Sequence, residues 1–191
     1  MVATSAPFGL DAAYHPSGQV HPRAYPNGIS SGYGTNIYKG SPVFWLSTGY
    51  LNLAANATDN IQGALAGVEY TDPVTQRPVV SPYWGSGQTY SGTMTAYIWD
   101  DPAIVYRIQA SGAVAQSAIG DQGNFTTVTA GSTSTGISGA QLNATLTGSG
   151  AQGQMRIVGL SPDIDNAWGD AYTTVYVQIA EHQYVANKVA L

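Results

Sequence analysis

The stretch AYTTVYVQIA, residues 171–180, decides the fold class. Thr173, Val175, Val177 and Ile179 alternate with Tyr172, Thr174, Tyr176 and Gln178, a period of two that puts one set on each face of a β-strand. Both sets are rich in the β-branched and aromatic residues that suit a pleated, half-buried surface. One face is expected to pack inward and the other to present tyrosines. The pattern recurs at 103–109, after the turn signal Asp101-Pro102, with Ile104, Tyr106 and Ile108 on one side and Val105, Arg107 and Gln109 on the other. Further strands are predicted at 42–46, 61–70, 93–99, 125–129 and 155–160. Helical signal is minor, a turn or two within 113–119 before Gly120. About seven strands with no helix–strand alternation predict an all-β domain, a compact β-sandwich or small β-barrel.

The chain has 191 residues, a length that favours one domain, or one domain with an arm. Residues 1–40 read as that arm. Pro7, Pro16, Pro22 and Pro26 alternate with Gly9, Gly18, Gly28, Gly32, Gly34 and Gly40, too much punctuation for regular structure. Deleting the arm is expected to leave a soluble β-rich domain over 41–191. Within that domain, 130–153 is rich in Gly, Ser and Thr and reads as a surface excursion with little to give the core.

Charge excludes several partners. Six basic and eleven acidic residues make up 9% of the chain, with a net charge of −5, against about 25% charged residues in ordinary globular chains. The basic residues are scattered from Arg23 to Lys188, so no basic patch predicts nucleic-acid binding. No segment reaches the roughly 18–20 apolar residues of a membrane-spanning helix. The opening MVATSAPFGLDAAYHPSG has neither a basic start nor an unbroken apolar run, and reads as a soluble chain without a secretion signal. With no cysteine there are no disulfides and no thiolate metal site.

Candidate chemistry is thin. Asp100 and Asp101 are neighbours in extended chain, so their side chains point to opposite faces and do not converge as an acid/base pair. A turn is the better reading. DIDNAWGD, 163–170, fails the calcium-loop pattern: Ala167 stands at its fifth position, Trp168 at the sixth and Thr174 at the twelfth. It reads as a polar turn leading into the final strand. The glycine spacing at Gly148, Gly150 and Gly153 lacks the following helix that a phosphate cradle needs. His15, His21 and His182 are far apart in sequence. Neither a metal site nor a cofactor is expected.

Aromatics remain, with 13 Tyr, 4 Trp and 3 Phe. Trp45, Trp84 and Trp99 are expected in the core. An arm with no core of its own, yet bearing aromatic anchors, suggests a segment that orders against another surface. Tyr14, His21, Tyr25, Tyr33, Asn36 and Tyr38 are therefore the candidate interface residues.

Four motifs together resemble the capsid cement (decoration) proteins of tailed bacteriophages. They are SGYGTNIYKGSPV at 31–43, GALAGVEYTDP at 63–73 with SPYWGSG at 81–87, AYIWDDPAIVYRIQA at 96–110, and DNAWGDAYTTVYVQI at 165–179. Ser41 and Arg107 each stand where the family pattern leads one to expect an acidic residue. The resemblance implies a non-enzymatic β-domain on the outer capsid surface of a virion, made in the host cytoplasm. Its partners would be the major capsid protein and other copies of itself, as a homotrimer or a dimer. A carbohydrate- or receptor-binding β-module is the alternative that surface Tyr and Trp keep open.

Overall fold

The computed structural model describes residues 4–148 and 150–185. Fifteen short strands run in chain order as β1 (Asp11–Tyr14), β2 (Arg23–Pro26), β3 (Pro42–Trp45), β4 (Leu51–Leu53), β5 (Gly63–Thr71), β6 (Pro78–Ser81), β7 (Met94–Trp99), β8 (Val105–Gln109), β9 (Gln122–Gly123), β10 (Phe125–Thr126), β11 (Gly131–Ser132), β12 (Ile137–Ser138), β13 (Gln141–Leu142), β14 (Met155–Leu160) and β15 (Thr174–Ile179). The predicted helical turn is a single 3-10 turn at Gln116–Ala118. The strands build two main antiparallel sheets, the pattern of a β-sandwich. One has the order β1-β8-β15-β14-β9; the other is β2-β7-β5-β3-β4, with β6 also pairing β5. β10–β13 and β11–β12 form two small ladders.

The final strand behaves as its alternation predicts. Val175 and Val177 are fully buried and Ile179 nearly so, in the core between the sheets, while Tyr176 and Gln178 lie half-exposed on the opposite face. That core also takes Ile104, Tyr106 and Ile108, Met155 and Ile157 of β14, and Ala64 of β5, with Phe44 and Trp99 packed against it.

The second sheet is buried on both faces, and this determines where the N-terminal segment goes. Leu65, Val68, Val43, Leu51, Leu53, Ala96 and Ile98 point away from the first core into a second, which Ile29, Ile37 and Trp84 close from above. A sheet with two apolar faces needs a cover on each. The outer cover is a loop layer in which Ile37 exchanges backbone hydrogen bonds with Trp84, N–H to carbonyl at 3.0 and 2.8 Å.

Residues 4–40 are thus extended, as expected, but they hold many core contacts. β1 pairs β8 and β2 pairs β7, each as an edge strand. Leu10, Ile29, Ile37 and Tyr38 are all buried. The expectation of a separable arm is corrected on this packing. The 130–153 excursion is corrected likewise: Ala140 and Leu142 are fully buried, and β12 is tied to the Lys39 backbone, whose N–H donates to the Gly136 carbonyl at 2.9 Å and whose carbonyl accepts from the Ser138 N–H at 2.9 Å. Of the three tryptophans, Trp84 is fully buried, while Trp45 and Trp99 are half-buried against the cores.

Candidate functional site

The six interface candidates divide into two groups. Tyr14 is exposed at the end of β1, its ring edge-on to Tyr176 at 5.6 Å. His21 is exposed just before β2. The other four turn inward. Tyr25 is half-buried, donates its hydroxyl to Asp100 and sets its ring edge-on to Trp45 at 5.0 Å. Tyr33 donates to Asn52 Oδ1 and accepts from the Leu53 N–H at 3.2 Å. Asn36 donates to the Tyr38 hydroxyl at 2.9 Å and accepts from the Ser86 N–H at 2.6 Å. Tyr38 is buried and stacks on Tyr83 at 5.6 Å. Covering the second sheet uses these side chains inside the chain, so Tyr14 and His21 are the two candidates left open to a partner.

The main concentration of titratable groups surrounds the Asp100-Asp101 step. The two carboxylates diverge, as their adjacency predicts. Asp100, at the end of β7, is 2% exposed. It meets Arg23 Nε at 3.3 Å, the Tyr25 hydroxyl and Gln62 Nε2 at 3.4 Å. Asp101 begins a turn, accepting the Ala103 N–H at 2.8 Å, and faces His15 Nε2 at 3.3 Å. That turn N–H, above all, holds the Asp101 carboxyl below its usual range. Burial, then the Asp100 carboxylate, push the Tyr25 phenol well above its usual range, while Asp100 raises the Arg23 guanidinium.

His182 approaches from the C-terminal side. Its Nδ1 accepts the Tyr184 N–H at 3.2 Å, so Nε2 carries the proton and donates to the Asp100 carbonyl at 3.0 Å. Burial lowers its pKa. Two of the three histidines that are scattered in sequence therefore flank one Asp-Asp step. Chemically the cluster is a clasp: three donors already converge on the Asp100 carboxylate, and the hydroxyl that stands beside a histidine, Ser17 Oγ at 2.6 Å from His15 Nδ1, lies exposed in the turn after β1, where His15 Nδ1 also accepts the Ser17 N–H at 3.0 Å. Among the described residues no group of three or more His, Asp or Glu is placed to hold a metal ion. No helix among them is long and apolar enough to cross a membrane.

The remaining surface carries scattered charges and is partly apolar. The β5–β6 turn exposes Val74, and β6 exposes Val80. The 163–170 segment forms the polar turn its sequence predicts: Asn166 donates to the carbonyls of Ser161 and Thr174 at 2.8 and 2.7 Å and accepts the Thr174 N–H at 2.8 Å. Ile164 stands fully in solvent at its tip. A depression of about 210 Å³ opens between the N-terminal segment and β12, with Phe8, Leu10 and Ile137 as its apolar lining and Asp11, Lys39 and Arg107 at its polar edge. Arg107 is engaged there, 3.1 Å from Asp11 and 3.2 Å from Asp163, and lies over the Phe8 ring at 5.0 Å. Lys39 is exposed and, among the described residues, has no carboxylate within ion-pair distance.

No family model, curated protein or solved structure matches this chain.

Proposed function

We propose that this protein is a structural virion component, a decoration protein that binds the outside of a phage capsid and stabilises it by bridging major capsid protein subunits. The observation that supports the reading is spatial. The four motifs behind the family resemblance, dispersed over 31–179 in sequence, pack as one framework. Ile37 pairs with Trp84, Tyr38 stacks on Tyr83, β7 runs beside β5, and β15 runs beside β8. The resemblance thus falls on the residues that define the sandwich, not on unconnected surface stretches.

The function needs no bond-making chemistry. A protein that binds several assembled subunits at once adds free energy to the assembled state alone, and mass action then opposes disassembly. Repetition over the shell multiplies the effect. A sparsely charged surface with exposed Val74, Val80 and Ile164 suits a broad protein interface. The glycan-binding alternative rests on surface Tyr and Trp and polar loops; of these, Tyr14 and Tyr176 meet with their rings 85° apart, an edge-on pair and not a flat stacking platform.

Co-sedimentation with purified phage heads tests the reading. Saturable binding at a fixed ratio to the major capsid protein, with heads that survive higher temperature when decorated, is the expected result. Trace binding that never saturates, together with specific hits on a glycan array, would replace it with the carbohydrate-binding reading.

A further inference from the structure

Two features of the surface complement one another. The first is a knob, Ile164, the most exposed large apolar residue of the described chain, flanked by Asp163 and Asp165. The turn behind it is stiff: Asp163 accepts from the Ser161 hydroxyl at 2.9 Å and from Arg107 at 3.2 Å, and Asn166 pins both ends of the segment. The backbone that carries the knob is therefore held in place, which lowers the ordering loss on binding. The second feature is the depression lined by Phe8, Leu10 and Ile137, with Lys39 at its edge, its ammonium 5.8 Å over the Trp99 ring and without a carboxylate partner among the described residues. Its volume of about 210 Å³ exceeds the ~150 Å³ apolar cavity that accepts a benzene ring, so a branched aliphatic side chain fits.

We infer that Ile164 of one copy of this chain inserts into the Phe8–Ile137 depression of a second copy, where Lys39 meets the carboxylate of Asp165. Charge complementarity selects this occupant. The chain is net negative with six basic residues in all, and one that lacks an acidic partner among the described residues stands at the edge of an apolar hole. The same chain presents an apolar tip between two acids. Arg107 links the two features, lining the hole and bonding to Asp163 behind the knob. Knob and hole therefore lie on one flank, the arrangement that lets two copies exchange knobs reciprocally. This contact stands apart from the capsid reading and can fail without it.

The test is the mass of the full chain in solution across a concentration series, by light scattering or sedimentation equilibrium. Wild type is expected to associate. Ile164→Asp, a change at a fully solvated side chain that leaves melting unaltered, should raise the dissociation constant about 30-fold or more, as loss of a central apolar anchor does. Lys39→Glu should weaken association, and Lys39→Glu combined with Asp165→Lys should restore it by reversing the pair. A wild type that stays monomeric at high concentration overturns the inference. So does an oligomer indifferent to Ile164→Asp, or a double reversal as weak as Lys39→Glu alone. A monomeric wild type whose binding to heads is abolished by Lys39→Glu would assign the depression to a shell segment instead.

Discussion

Removing residues 1–40 should destroy the fold. The deletion takes away β1 and β2, one edge strand of each main sheet, and four buried side chains: Leu10, Ile29, Ile37 and Tyr38. Burying a large apolar side chain is worth ~1.5–3 kcal/mol, so the four together account for roughly 6–12 kcal/mol. Compactness of the unfolded chain makes this an upper range. It nonetheless matches the whole stability of a typical domain, about 5–15 kcal/mol. The deletion also uncovers Trp84 and the outer face of β5 and β7, and takes Arg23 and Tyr25 from the buried Asp100 carboxylate. Far-UV circular dichroism and thermal melting of 41–191 beside the intact chain provide the assay. The truncated form should aggregate or show no cooperative transition. A sharp transition within about 5 °C of the intact chain, corresponding to roughly 2 kcal/mol at this size, would refute the reasoning. Ile37→Ala gives the graded version, with an expected loss of ~2–5 kcal/mol, whereas Tyr14→Ala at the exposed end of β1 should barely move the melt.

Acid should loosen the C-terminal strap. Burial holds His182 below its ordinary pKa, so above pH ~6.5 both folded and unfolded chains carry it neutral. Below that pH the unfolded chain takes up a proton the folded chain refuses, and stability falls as pH drops toward the folded value. The melting temperature should decline as pH falls below about 6.5, with a smaller decline in His182→Gln; identical profiles would remove His182 as the cause. Gly63→Ala should destabilise by about 3 kcal/mol, because a Cβ there would run into the Trp99 carbonyl and lie 2.9 Å from the Asp100 Cα; an unchanged melt would contradict that packing. Binding to heads should weaken less than about tenfold between ~50 and 200 mM salt, where a complex built on many phosphate contacts loses ~10³ or more; a collapse over that interval would point to an ionic interface.

How much of the fold could be read in advance follows from strand length and from how many faces are buried. The runs at 155–160 and 174–179 are six residues each, long enough for alternation to show, and they pair with one another as β14 and β15. β2 reads RAYP and has no apolar alternation. It is a strand because β7 offers it a ladder, and Pro26 is tolerated because an edge strand leaves one side unpaired. β11, β12 and β13 are two residues each, too short for any period to register. The two-faced burial of the second sheet left little trace: the buried run Ile61–Leu65 reads IQGAL, in which Gln62 and Gly63 interrupt the continuous apolar pattern that a strand covered on both sides usually shows.

The clasp and the depression were less legible, because their residues meet only through the fold. The Asp101-Pro102 turn is a dipeptide signal, but Asp100 finds Tyr25 at 75 residues' separation, Gln62 at 38 and His182 at 82. Ser41 and Arg107, the two positions that differ from the pattern of the cement proteins the sequence resembles, make the same point. Ser41 is fully buried, with its hydroxyl between the Tyr38 N–H at 3.1 Å and the Ser138 hydroxyl at 3.2 Å. A carboxylate there would be a buried charge with no cation beside it, and would be strongly disfavoured. Arg107 stands between Asp11 and Asp163, so an acid in its place would face two others and free both the N-terminal segment and the Ile164 turn. Each departure is matched by at least one partner more than 50 residues away, Ser138 for Ser41 and Asp11 and Asp163 for Arg107, and this matching is invisible one position at a time.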